Sequence, residues 1–548
     1  MSPKVKHNLG IALRVVIILA VAFLYYYNTL PALNIHSKGL WGFLIFMIVV
    51  CDIWWIIRRY RTMGYHFSKG KFRLEITVLQ QVKIGLIALG AVLVVFIVAN
   101  LASSTLFNAK RYQQLIKVET RDFVSDIKQV DYSTIPLLDR DSASLLGDKK
   151  MGSMVDIVSQ FEVSDEYTQI NYNGKPVRVT PLKYASIIKW FTNHSEGVPA
   201  YILIDMASQE TQCVKLEQPI RYSESEHFGR YIKRHLRFRF PTYIFDDEIF
   251  FEIDDNGTPY WVCPVVKYNI GLFGGKTIGR VVLCNASTGE CYDYAVEEVP
   301  TWVDKVYSAE LLIQLYDYYG KFQNGYWNSK FSQKGCLQTT NGYNYIAMDD
   351  DVWVYTGVTS VASDESNVGF VLMNQRTMET RFYIVEGAIE DSAMSSAQGQ
   401  VQHLGYAATF PLLLNIADEP TYFMALKDEA GLVKKYAMVN IHNYQWVATG
   451  DTVKECETNY VSLLNINGIS GEVQGNEQEI RGKITALASL VLNGNTHYYL
   501  MLNDQETVYD IDMSNPAFAT AITLQTGDTV TLTYVEGETV RTVVGLTK

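Results

Sequence analysis

The sequence predicts a membrane-anchored α+β protein, with three N-terminal transmembrane helices and then a multi-domain, hairpin-rich α+β ectodomain that ends in a small five-stranded β-barrel. Three observations predict this fold class. Long apolar runs fill the first 107 residues, cations gather between the second and third runs, and the remainder alternates short β-type runs with turns. A chain of 548 residues is also too long for one ordinary domain.

The three apolar runs cover residues 10–28, 40–57 and 84–107. Each has roughly the 17–25 residues that a helix needs to cross the hydrocarbon core of a bilayer. A core helix of a soluble protein is the alternative, but three such runs in succession favour membrane spans. A cleaved signal peptide fits poorly because two further runs follow the first.

The loop between the second and third runs sets the expected orientation. Lys and Arg accumulate on the cytoplasmic side of short loops. The cations of this loop are Arg58, Arg59, Arg61, Lys69, Lys71 and Arg73. The opposing group, after the third run, is smaller. We therefore expect a cytoplasmic N-terminus and an extracytoplasmic location for everything after about residue 108.

Changes in pattern divide the chain into seven predicted segments. Residues 108–130 alternate charged and apolar positions at helical spacing. We expect them to continue the third run as a stalk helix. The segments are a transmembrane region (1–107), a stalk with a connecting region (108–175), a first α+β module (176–300), a helix with a β insert (301–384), a second α+β module (385–464), a linker (465–480) and a barrel (481–548).

The two modules combine a helix with β-hairpins. Helices are predicted over 180–194, with Thr180 as the cap, and over 303–322 and 386–406. Asn256-Gly257 supplies the positive φ angles of a tight hairpin turn. Helices followed by hairpins with turns such as 285–290 (NASTGE) and 427–431 (KDEAG) resemble the PepSY-type module. That resemblance implies a non-catalytic inhibitory or binding role outside the cytoplasm.

The C-terminal segment resembles an OB-type barrel. Five strands are expected, at about 481–488, 497–502, 506–511, 529–535 and 539–546, with an irregular piece between the third and fourth. Such barrels often bind oligonucleotides or sugars, and a purely structural barrel is the favoured alternative. Here the acidic residues are many and the basic surface is small, which argues against a nucleic-acid partner. These acids are Asp504, Glu506, Asp510, Asp512, Glu536 and Glu538.

No catalytic motif occurs in the sequence: a nucleophile elbow, a zinc-binding H-E-x-x-H and a phosphate-binding loop are all missing. The best metal candidate is the run Asp349, Asp350 and Asp351, because carboxylates are hard oxygen ligands suited to Ca²⁺. The spacing is not that of an EF-hand, and a polar turn between strands is the alternative. No other cofactor is expected.

Two further groups suggest binding surfaces. Tyr326, Trp327, Tyr343 and Tyr345 lie beside Asn and Gln, a mixture that can stack sugars or contact peptides, although aromatics are also ordinary sheet residues. The basic run 230–240 (RYIKRHLRFRF) could receive an anionic ligand or form a solvated face.

The six cysteines after the third run leave their pairing open, as free thiols or as disulfides. The 283–292 hairpin can bring two of them face to face. A zinc site is not expected, since no further Cys or His stands at ligand spacing. The six are Cys213, Cys263, Cys284, Cys291, Cys336 and Cys456.

These observations predict a non-catalytic, membrane-anchored binding, scaffold or regulatory protein of the cell envelope. Its expected partners are the lipid bilayer and an envelope protein or polymer, and oligomerisation through the transmembrane helices stays open. The alternative is a membrane-anchored envelope enzyme with a carboxylate or metal site in the ectodomain.

Overall fold

The computed structural model describes residues 3–62, 76–129, 135–136, 138–348, 350–361, 363–469, 478–492, 495–503, 505, 507–513, 516–535 and 540–548. Its helices are α1 (Pro3–Thr29), α2 (Lys38–Thr62), α3 (Ile76–Ala102), α4 (Thr105–Gln113), α5 (Phe123–Asp126), α6 (Arg140–Gly152), α7 (Ile187–Asn193), α8 (Ile232–Arg239), α9 (Ala309–Lys321), α10 (Gly325–Lys330), α11 (Glu390–Gln400) and α12 (Val453–Ile466).

The strands follow the first three helices. They are β1 (Glu119–Arg121), β2 (Phe161–Val163), β3 (Thr168–Tyr172), β4 (Lys175–Tyr184), β5 (Val198–Asp205), β6 (Thr211–Ile220), β7 (Phe250–Ile253), β8 (Pro259–Ile270), β9 (Gly274–Asn285), β10 (Cys291–Ala295), β11 (Leu337–Thr339), β12 (Asn344–Met348), β13 (Asp351–Ser360), β14 (Ser363–Asn374), β15 (Thr380–Tyr383), β16 (Gly387–Ala388), β17 (Ala407–Ala408), β18 (Leu412–Ile416), β19 (Glu419–Lys427), β20 (Val433–Asn440), β21 (Val447–Gly450), β22 (Gln478–Leu492), β23 (Asn495–Leu502), β24 (Val508–Asp512), β25 (Thr529–Val535) and β26 (Arg541–Thr547).

The described strands outside the barrel form four sheets. Sheet 1 contains β2–β6, sheet 2 contains β7–β10, sheet 3 contains β1 and β11–β16, and sheet 4 contains β17–β21. Three hydrophobic clusters join these sheets in the order 1, 2, 3, 4. The protein after α3 is therefore a stack in which the two middle sheets are buried on both faces.

Alternation along β8 shows how the sequence encodes this stack. Trp261 and Cys263 point into the cluster shared with sheet 1, whereas Val262 between them points into the cluster shared with sheet 3. Successive strand residues face opposite sides of a sheet, so a strand covered on both faces is apolar throughout. The clusters also run across residues 300 and 384, where the sequence predicts module boundaries. Those boundaries stay predictions.

One of the three predicted spans has clear support. Among the described residues, the segment Lys83–Ala102 of α3 is long and apolar enough to cross a membrane, judged by length and composition alone. The apolar part of α1, Val15–Thr29, is shorter, and side chains of α2 are described only up to Trp54. The first two spans therefore stay predictions.

Two predicted helices are wrong. Residues 180–184 continue strand β4, where Thr180 is fully buried and pairs with Ile202 of β5. The helix α7 begins only after Ser186, whose hydroxyl accepts a hydrogen bond from the backbone N–H of Lys189 at 3.3 Å. The predicted stalk helix over 108–130 ends at Gln113, and strand β1 follows because its backbone adds to sheet 3 beside β15.

The C-terminal barrel is confirmed. Strands β22 to β26 close in the order β22-β23-β24-β26-β25, and a 3₁₀ segment, Pro516–Thr523, lies between the third and fourth strands. Of the predicted acidic residues, Asp510 and Asp512 lie on β24. The other four, Asp504, Glu506, Glu536 and Glu538, lie outside the described residues. Leu500, Tyr509 and Leu532 fill the barrel interior.

Helix α8 joins the N-terminal helices to the sheets, so the solvated face predicted for its basic run is wrong. The Arg237 guanidinium is buried and donates to the carbonyl oxygen of Leu30 at 2.9 Å, just after α1. Arg234 lies over the Tyr27 ring at 4.0 Å. At the end of α3, the Ser103 hydroxyl accepts a hydrogen bond from the N–H of Phe273 at 3.2 Å. The end of α1 and the end of α3 thus meet the same side of the stack.

Candidate functional site

A polar cleft of about 550 Å³ opens where sheets 1, 2 and 3 meet. Its walls come from the start of α6, from β3 and β4, from the segments on either side of α8, from β7, from the start of α9 and from β12. The volume is within the usual range for small-molecule sites, roughly 300–1,000 Å³. Charged groups of both signs line it, with aromatic rings at one side.

Two of the four predicted surface aromatics lie in this cleft. The Tyr343 hydroxyl donates to Glu310 at 2.6 Å, and the rings of Tyr343 and Tyr345 are 5.7 Å apart. Tyr326 and Trp327 lie elsewhere, on α10, where the Trp327 side chain is exposed. The structure therefore divides the four aromatics between two places, and their role in binding stays a prediction.

The floor of the cleft carries a buried cation. Gln169 of β3 and Arg178 of β4 are directly paired across the two strands, on the face turned away from the sheet 1 core. A terminal nitrogen of Arg178 donates to the Gln169 side-chain oxygen at 3.5 Å. The Arg178 Nε and the Gln169 Nε2 are both buried without a hydrogen-bond partner among the described residues. Two donors at one wall of the cleft are thus free for an acceptor.

The charge of Arg178 is also left uncompensated at close range. No carboxylate oxygen of a described residue lies within 4.0 Å of the Arg178 guanidinium, the distance that defines an ion pair. Asp139, an acidic residue of the cleft lining, is paired with Lys427 instead. Burial lowers the pKa of Arg178 from its usual value. A guanidinium stays protonated in proteins, so the site carries a buried positive charge.

A second cation faces the aromatic side. The Lys305 ammonium lies 4.4 Å from the centre of the Phe250 ring and 5.8 Å from that of Tyr345. Such cation–π contacts stabilise an ammonium group without neutralising it. Arg178 and Lys305 together supply two positive charges to the cleft lining.

Acidic residues also line the cleft, close to Lys305. Burial raises the pKa of Glu248, and repulsion from Glu310 adds to the effect, while Lys305 opposes it. Glu224 is engaged by Lys233 in an ion pair of 2.8 Å. The cleft therefore offers charged groups of both signs to a ligand.

A buried pair of carboxyl groups, Glu252 and Asp304, lies directly behind the cleft. Glu252 accepts the backbone N–H groups of Asp304 and Lys305, both at 2.9 Å, and Asp304 accepts that of Asn171 at 2.6 Å. Burial raises the pKa of Glu252 to about 7. Burial and the neighbouring Glu252 raise that of Asp304 well above its usual range. The pair fixes the backbone that carries Lys305 into the cleft.

The predicted Ca²⁺ ligands lie beside this pair. Asp349 is outside the described residues. Asp350 accepts the side-chain amide of Asn171 at 3.0 Å. Both oxygens of Asp351 are engaged, by Arg376 at 2.6 and 2.8 Å and by Asn374 at 2.8 Å. Ca²⁺ binding by this run stays a prediction, and Asp351 binds residues of the turn between β14 and β15.

Three of the six cations that are predicted to set the topology lie in the described part of the chain. Arg58, Arg59 and Arg61 belong to α2, and their side chains are not among those described. Lys69, Lys71 and Arg73 lie outside the described residues.

Sequence reasoning missed the charged residues of the cleft. Arg178 is one cation within the buried stretch of β4, and Lys305, Glu248 and Glu310 come from separate segments. The available signal was local: an arginine between the valines of β4. Only the tertiary fold shows that Arg178 pairs with Gln169 and that both open onto one cleft.

Comparison with known proteins identifies no family for this chain. No protein-family model and no curated protein matches it. Among solved structures, a crystal structure of an ACO/RPE65 chimera is similar with a TM-score of 0.14 and 9% sequence identity. The match covers 72% of this chain and 66% of that chain. A likeness this small carries no argument about fold or function.

Proposed function

We propose that this protein is a membrane-anchored binding protein of the cell envelope, whose extracytoplasmic cleft takes a ligand with an anionic group such as a carboxylate or phosphate. The observation that carries the proposal is the buried Arg178, with its Nε and the Gln169 Nε2 unpartnered at the cleft wall. Leaving a buried donor without a partner costs roughly 1–3 kcal/mol. A ligand oxygen that accepts both bonds removes this cost.

The remaining lining supports a ligand with an apolar body as well. Tyr345 and Phe250 are aromatic, and Lys305 lies over both rings. Rigid aromatic side chains offer contact area at a low cost in conformational entropy. Glu248 and Glu310 also line the cleft and suit an amino group, so the preferred ligand carries both a negative and a positive charge, as an amino acid does.

Membrane anchoring is supported by α3 and by the positions of the helix ends. Three alternating spans require the 30–37 connection and the end of α3 to lie on one side of the membrane. Leu33 donates to the carbonyl oxygen of Pro241 at 2.7 Å, and the Tyr112 hydroxyl donates to that of Ser103 at 2.6 Å. Both contacts attach these helix ends to the ectodomain. The cationic loop between α2 and α3 then faces the cytoplasm.

Ligand-dependent stabilisation tests the cleft. The full-length protein in detergent is titrated with inorganic phosphate, with glycylglycine, and with glycinamide, which lacks the carboxylate. We expect phosphate or glycylglycine to raise the melting temperature and glycinamide to have no effect. Saturation at 100 times the dissociation constant adds about 2.7 kcal/mol.

Arg178→Met and Arg280→Met separate the cleft from general charge effects. Both variants lose one positive charge, but Arg280 lies on β9 in an ion pair with Asp293. We expect Arg178→Met to abolish the shift and Arg280→Met to retain it. An unchanged shift in Arg178→Met contradicts the proposal.

A second candidate, an envelope enzyme, is favoured by one observation. Glu248 has a raised pKa and lies beside Glu310 in the cleft, and a carboxyl group with a raised pKa is a candidate general acid. Incubation with solubilised envelope polymers, followed by mass spectrometry, tests this function. Products formed by the wild type and not by Glu248→Gln would favour the enzyme over the binding protein.

A further inference from the structure

The hairpin of β9 and β10 brings two thiols together beneath helix α8. Cys284 and Cys291 are directly opposite in the strand register. Both are free thiols; Cys284 is buried and Cys291 is half-buried. Their sulfur atoms and a ring nitrogen of His235 all lie within 4.8 Å of one another. This cluster lies on the sheet 1 side of sheet 2 and is separate from the lining of the cleft.

Helix α8 directs two basic side chains at this cluster. His235 and Arg239 are one turn apart, and each donates to the carbonyl oxygen of Gly289 at 2.8 Å. Gly289 belongs to the turn that precedes Cys291, and its φ angle of 75° is one that glycine adopts easily. The two contacts hold the turn, and therefore Cys291, against the basic side chains.

The two thiols differ in chemical character. A hydrogen bond from the Cys284 thiol lowers the pKa of Cys291 to about 5, with further contributions from His235 and Arg239. The same hydrogen bond and burial raise the pKa of Cys284. A half-buried thiolate beside a buried thiol is the arrangement in which one sulfur attacks and the other resolves.

We propose that Cys291 and Cys284 form a redox-active dithiol that exchanges with disulfides, Cys291 as the attacking and Cys284 as the resolving sulfur. The Cys291 thiolate attacks a disulfide R–S–S–R, forms a mixed disulfide and releases one thiolate R–S⁻. Cys284 loses its proton to that thiolate and attacks the Cys291 sulfur, which releases the second R–S⁻. The dithiol loses two electrons and becomes a disulfide, and the substrate disulfide is reduced to one thiol R–SH and one thiolate R–S⁻.

A soft metal ion is the competing occupant, because two Cys and one His are ligands typical of zinc. The Arg239 guanidinium opposes this choice. It shares the Gly289 carbonyl with His235 and adds a positive charge next to Cys291, which disfavours a divalent cation and stabilises a thiolate. Metal retention is therefore an outcome that overturns the proposal.

Oxidised glutathione is the probe. The reduced full-length protein in detergent is treated at pH 6, quenched with acid, digested and analysed by mass spectrometry. We expect the wild type to give a Cys284–Cys291 disulfide without glutathione, and Cys284→Ser to stop at the mixed disulfide on Cys291. Cys213→Ser, which removes a half-buried thiol of sheet 1, should behave as the wild type.

Arg239→Gln tests the activation of the attacking sulfur. Loss of the guanidinium should raise the pH at which half of Cys291 is alkylated by iodoacetamide, because the neutral glutamine no longer stabilises the thiolate. The proposal fails if Cys291 reacts no faster than Cys213 in Cys284→Ser. It also fails if purified protein retains one zinc ion that blocks alkylation of both thiols.

Discussion

Single buried charges determine how this protein responds to ligands and to pH. Burying a charge costs several kcal/mol unless hydrogen bonds or an opposite charge compensate it. Glu252 is compensated by two backbone N–H groups, whereas one oxygen of Asp304 has no partner among the described residues. Arg178 lacks both an ion pair and a partner for its Nε. The folded state therefore contains sites that a proton or an anion stabilises.

The buried pair predicts that stability falls as the pH rises. Both carboxyl groups have raised pKa values in the folded state, so this state binds more protons than the unfolded chain. Stability from the pair is complete below the ordinary Glu value of 4.5 and is lost as the pH rises through about 7. Asp304→Asn removes the repulsion, and we expect it to raise the free energy of unfolding at pH 8 by about 1–3 kcal/mol.

Thermal unfolding between pH 4 and pH 8 measures this effect. Asp304→Asn should flatten the pH profile, whereas Asp255→Asn, at the exposed hairpin turn before β8, should leave it unchanged. A wild-type protein that becomes more stable from pH 5 to pH 8 would show that the pair is ionised throughout.

The sequence could not reveal these buried groups because their burial and their contacts depend on residues that are distant in the sequence. Asp304 and Glu252 are 52 positions apart and meet only when sheets 2 and 3 stack. The cleft is a similar case, since Arg178 reads as an isolated polar residue in β4. The hairpin cysteines were different: the spacing of Cys284 and Cys291 around a turn already indicated that they can face each other, but nothing in that spacing indicated His235 or Arg239.

At the scale of elements, the sequence pattern predicts a strand correctly where the structure of that strand depends mainly on its own residues. The barrel strands alternate and are separated by turns, and each was predicted close to its observed bounds. The prediction for the end of β4 was wrong because both faces of this strand are buried. Its apolar residues therefore do not alternate with polar ones, and the pattern resembles that of a helix. The role of the basic run in α8 could not be predicted for another reason. Its cations bind carbonyl groups of a connection that is distant in the sequence.

Helix α8 gives a prediction of its own. Arg237 donates to the carbonyl oxygens of Leu30, Phe240, Pro241 and Tyr243. Arg237→Met leaves these acceptors without the guanidinium, and we expect a loss of about 2 kcal/mol or more in stability. Added protease should then cleave faster within residues 30–37.

Arg280→Met is the control for this experiment, because a partly exposed ion pair contributes only about 0–1 kcal/mol. Equal protease resistance of Arg237→Met and the wild type would mean that α8 does not hold the helix connection.

The whole molecule is a stack of four sheets joined to helices at one end and followed by a barrel. The stack explains why the region after α3 is large: sheets 2 and 3 are covered on both faces and need neighbours on each side. The contacts of α8 and of the β8–β9 turn with residues 27–36 and 96–103 attach the stack to one end of the helices. That attachment, together with the cations expected on the cytoplasmic side, underlies the proposed orientation.

Protease access to two epitope tags tests this orientation most directly. One tag is inserted after Tyr65, in the cationic loop, and the other follows Lys548. In intact cells, added protease should remove the C-terminal tag, and it should leave the loop tag intact until the cells are opened. Removal of the loop tag while the C-terminal tag survives would contradict the placement of the cleft outside the cytoplasm.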